Sequence, residues 1–207
     1  MEYGFTGLNN SRQSAVDQER MSIVASHMYE QYNNYQNANL IAAGIFDSIY
    51  ENMKVITDYF RQTFSARGIP SDDIYCSKDD MTKSLLLSIM WHKIGFTMIF
   101  NDKPQVLENT VNGQRTIYSR IVATKGDCIK VINENPDLLT EKIRNIEVAS
   151  LYVPAKRSMP CELRTIHLIN ELHPIPISIE NANKEFLIKV IEYVCGGGYV
   201  HWQSTYL

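Results

Sequence analysis

Arg20 and His27 are the two side chains of this sequence whose types and spacing come nearest to chemistry. Six residues lie between them, so on a helix both stand on one face about two turns apart. A guanidinium placed there can stabilise charge developing on a phosphate while the imidazole moves a proton. The competing reading is an exposed arginine beside a half-buried histidine at a helix interface, which involves no reaction.

An arginine and a histidine spaced in this way on a helix resemble the motif of HEPN-type ribonucleases. The resemblance covers these two residues. It implies an RNA-cleaving site, usually assembled across a dimer of helices, and makes Arg20 and His27 the candidate catalytic pair.

Three further groupings carry weaker chemistry. Cys195 and His201 flank Gly196-Gly197-Gly198, but a thiol at a helix C-terminus meets the end of the helix dipole that disfavours thiolate. The glycines open no helix and lack a following Lys-Ser/Thr, so they read as a helix stop and not as a phosphate loop. His167, Glu171 and His173 could ligate a metal, yet the histidines are six apart where helical ligand pairs sit at three or four. Asp72, Asp73, Asp79 and Asp80 lack the spacing and glycine of a calcium loop, and read as a solvated, helix-capping connection. No metal and no cofactor is expected.

Tyr29, Tyr32 and Tyr35 are interleaved with Asn33, Asn34 and Gln36. Tyrosine offers contact area at low entropic cost, so this aromatic, charge-poor segment is the candidate interface, with packing inside the fold as its alternative. A helix–helix–wing arrangement from Glu162 to Tyr206 would be a winged-helix-like module. Its second helix offers only Lys184 and Lys189 against Glu185 and Glu192, too few cations for a reader of nucleic acid. Arg115, Arg120, Lys125 and Lys130 read as a solvated strand face.

Composition narrows the classes. A net charge of −3 argues against bulk nucleic acid or an anionic membrane as the main partner. Four scattered cysteines without a CxxC pair read as reduced thiols of a soluble, cytoplasmic protein. The N-terminus lacks the basic and apolar regions of a signal peptide, and the apolar run 85–100 is shorter than a membrane span and broken by His92-Lys93. The expectation is a non-enzymatic subunit or adaptor working through other protein subunits or a second copy of itself. The RNase and a winged-helix-like nucleic-acid-binding module in Glu162–Tyr206 stand as alternatives, the second with nucleic acid as a weakly supported partner.

The elements that must position these residues follow from periodicity. Residues 1–13 read as a flexible leader, and Ser14 with Asp17 as a capping box opening a first helix. Polar residues 32–39 are a turn or an exposed stretch of one long helix. Ile41, Ile45, Ile49, Met53, Ile56, Phe60 and Phe64 then recur at spacings of four and three, one buried face of a helix stopped by Gly68 and Pro70. A central helix is expected over 79–93, apolar on nearly every side, and a strand over 96–100. Asn112-Gly113 predicts a hairpin of 105–111 with 114–124, followed by a strand 128–132. A helix 136–147, a strand 148–153, a loop 154–160, a helix 162–172 and a proline-bearing edge segment 173–179 come next. A helix capped by Asn181 or Asn183 and a strand 199–206 close the chain. The fold class is α+β: long N-terminal helices against a small, mainly antiparallel sheet with further C-terminal helices. The helical region spans 14–95 and the mixed α/β region 96–207, with one core between them.

Overall fold

A computed structural model describes residues 6–99, 105–108, 115–128, 143, 145–165 and 174–196. Among the described residues the named elements are the helices α1 (Thr6–Ser65) and α2 (Ala182–Cys195) and the strands β1 (Tyr75–Asp79), β2 (Ser84–Ile89), β3 (His92–Ile99), β4 (Gln105–Glu108), β5 (Arg115–Lys125), β6 (Glu147–Pro154), β7 (Cys161–Thr165) and β8 (Ile175–Ile177). The fold is α+β.

α1 is one helix of 60 residues, roughly 90 Å long at 1.5 Å per residue. It already runs from Thr6, so Ser14 does not cap it, and the polar stretch 32–39 stays helical within that single helix, exposed at Tyr32, Gln36 and Asn37 and buried at Ala38. Its apolar stripe buries Ala38, Ala42, Ile45, Phe46, Ile49 and Met53 against the sheet. At the C-terminus the N–H of Ile69 donates to the carbonyl of Phe64, and that of Gly68 to Ser65, both at 3.0 Å. With Gly68 at φ +69° this is a Schellman stop, a conformation that suits glycine because it has no Cβ. The Arg61 Nε–H then donates to the carbonyl of Ile74 at 2.6 Å and ties the chain's return to the helix.

The sheet is antiparallel throughout, in the order β1-β2-β3-β5-β6-β7-β8, with β4 pairing β5 beyond the end of β3. One face packs on α1 and α2 in a single core that includes Leu85, Leu87, Phe96, Ile121, Leu151, Leu163, Phe186 and Val190. The rings of Phe96 and Phe186 meet edge-on at 5.8 Å.

Several expectations need correction. The segment expected as a central helix over 79–93 is the β2–β3 hairpin, so the chain is helical to Ser65 and not to 95. All six residues of β2 are buried, and a run apolar on every side fits a strand covered on both faces as well as it fits a central helix. A two-residue turn joins the strands with Met90 at φ +55°. Residues 162–165, expected to be helical, belong to β7, and the sheet is larger than anticipated.

Other expectations hold. β4 and β5 pair antiparallel with Glu108 opposite Arg115, as the hairpin reading requires, though Asn112-Gly113 lies outside the described residues. β6 covers 148–153, and β8, with Pro176, is an edge strand. α2 buries Phe186, Leu187, Val190 and Ile191; Asn181 holds the N-cap position without a side-chain bond. The expected strand 199–206 lies outside the described residues, as do 129–132 of the strand expected after β5.

Candidate functional site

Burial divides α1 in two. Every residue from 15 to 30 is exposed, residues 31–37 are exposed or half-buried, and burial starts at Ala38. The first half is therefore an arm, roughly 35 Å over residues 15–37. Ile23 is 65% exposed, Val24 49% and Met28 64%, so the side chains expected to form the first helix's apolar face meet no core.

The candidate catalytic pair lies on this arm. Arg20 and His27 are both exposed, on one side of the helix about two turns apart. The amide Nε2 of Gln31 donates to Nε2 of His27 at 2.9 Å, one turn further along. The half-buried histidine of the bland reading is not found: His27 is solvated. A phosphate site would need groups from a second helix to close over this face.

Among the candidate interface residues, Tyr29 is 69% exposed and Tyr32 60% exposed, while Tyr35 is half-buried. At helical spacing Tyr29 and Tyr32 lie on the side of the arm away from Arg20 and His27. The arm thus presents two surfaces, one aromatic and one mixed apolar and charged.

A second cluster, which the sequence reading missed, lies on the sheet face opposite the helices. There Arg120 is 8% exposed and Glu147 1%, with a guanidinium Nη2 donating to the carboxylate. Arg120 Nε also donates to the hydroxyl of Ser150 at 2.8 Å, and that hydroxyl donates to Glu147. The Tyr118 hydroxyl donates to Glu162 at 3.3 Å, and Arg164 Nη2 donates to the same carboxylate at 2.8 Å. The ring of Tyr152 lies between the two guanidiniums, 5.6 Å from Arg120 and 5.0 Å from Arg164. Arg120, read from the sequence as part of a solvated strand face, is instead buried and paired.

A bulge makes this possible. Ala123 pairs with Ala149 but Thr124 pairs with Glu147, leaving Val148 over. In plain alternation Glu147 and Ser150 would point to opposite faces of the sheet. The extra residue turns Glu147 onto the face of Ser150 and Arg120 while Val148 stays in the helix-side core. The guanidiniums pair with the carboxylates and join β5, β6 and β7, while Glu147 Oε2 and Arg164 Nε stay buried without a hydrogen-bond partner among the described residues. Arg164 alone keeps a third of its side chain in contact with solvent.

The remaining candidates separate. Asp79 accepts the N–H groups of Met81 at 2.8 Å and Thr82 at 3.2 Å, an Asx turn, so its role is in the β1–β2 connection and not in a helix cap. The Thr82 N–H is the main cause of its carboxyl lying below the usual range. Lys78 reaches both Asp47 and Asp80 at 3.1 Å and links α1 to β1. Among the described residues no three His, Cys, Asp or Glu side chains gather as metal ligands; His167, Glu171, His173 and His201 lie outside them. All four thiols are free, and burial pushes Cys128 and Cys161 up to about 12. No helix among the described residues is long and apolar enough to cross a membrane. Compared with protein-family models, with curated proteins and with solved structures, the chain shows no significant match.

Proposed function

We propose that this protein is a non-catalytic subunit or adaptor of a protein assembly and that it docks through the arm of α1. The observation that carries the reading is the exposure of residues 15–30 on every side of a helix whose continuation is the core of the fold. An isolated helix of this length is marginal in water, and Val16, Ile23, Val24, Asn33 and Asn34 are indifferent helix formers. Such a segment gains most of its stability from another surface. Tyr29 and Tyr32 are the exposed aromatic anchors, and the partners are other protein subunits or a second copy of this chain. Free thiols and the near-neutral charge support a soluble protein of the reducing cytoplasm, with nucleic acid a poor partner.

The test is co-purification from the native host with Tyr29→Ala/Tyr32→Ala beside the wild-type chain. The double variant loses its partner subunits and keeps its helical circular dichroism. Unchanged co-purification removes the docking reading. RNA cleavage by the wild-type chain that disappears in both Arg20→Ala and His27→Ala would replace it with the RNase alternative.

A further inference from the structure

We draw no further inference here: the strongest candidate, the exposed apolar line of Met21, Val24, Met28 and Tyr32 along the arm of α1, is an unpartnered helix face, and nothing in the structure shows what covers it.

Discussion

The two halves of α1 share one uninterrupted backbone and differ in what surrounds them. Residues 38–57 bury a dense apolar line, Ala38, Ala42, Ile45, Ile49 and Met53, against a sheet. Residues 15–30 carry a sparser line in which Arg20, His27 and Glu30 alternate with Val16 and Ile23, and nothing in the body covers it. A uniformly apolar stripe is satisfied by any apolar surface, including the protein's own strands. A stripe interrupted by charges is already satisfied by water, and burying it needs a surface that offers those charges partners. The contrast separates a half that stabilises the fold from a half whose side chains stay exposed.

The largest expected effect lies in the body, on the sheet face away from the helix. Arg120→Ala leaves Glu147 charged and buried without its partner, and costs about 3–5 kcal/mol of unfolding free energy in urea titrations. A loss under about 1 kcal/mol would show that water reaches that face.

The next measurement compares the two halves directly. Ile49→Ala empties a fully buried site and costs about 2–5 kcal/mol, whereas Ile23→Ala costs under about 0.5 kcal/mol at dilutions where the chain is monomeric. Similar losses at both positions would mean that the arm packs on the body.

A smaller change of opposite sign is expected at the β2–β3 turn. Met90 holds φ +55°, which glycine adopts without Cβ strain, so Met90→Gly stabilises the protein by about 0.5–1 kcal/mol in the same titration. Destabilisation instead would place the methionine side chain in a contact that outweighs the strain.

The smallest effect is a pH dependence at the turn between β1 and β2. Asp79 is held below its ordinary value, chiefly by the Thr82 N–H, so its carboxylate contributes stability above the unfolded pKa and loses it as pH falls through the folded one. The stability difference between the wild type and Asp79→Asn therefore narrows as pH drops below about 4. A difference that stays constant to lower pH would remove the turn from the titration.

Local pattern made much of this fold legible. The stripe from Ile41 to Phe60, the stop at Gly68 and the buried side of α2 all follow from helical periodicity and glycine's freedom at positive φ. The pairing of β4 with β5 followed from turn chemistry. Residues 84–89 are ambiguous in sequence because a mostly apolar run has no clear period to separate helix from strand; the partners on either side decide. On the arm, the sequence supplied Arg20, His27, Tyr29 and Tyr32 as candidates, but it could not distinguish an exposed helix face from a packed one.

By itself, then, the sequence determined what each segment could bury and where the long helix must stop, because those depend on side-chain spacing and local backbone preference. Tertiary structure alone decided that β2 is a strand between two others, that one extra residue at Val148 turns Glu147 towards Arg120, and that the sheet covers α1 only from Ala38 onward. Each depends on which distant segment lies alongside, and the period of a single strand or helix carries no record of its neighbours.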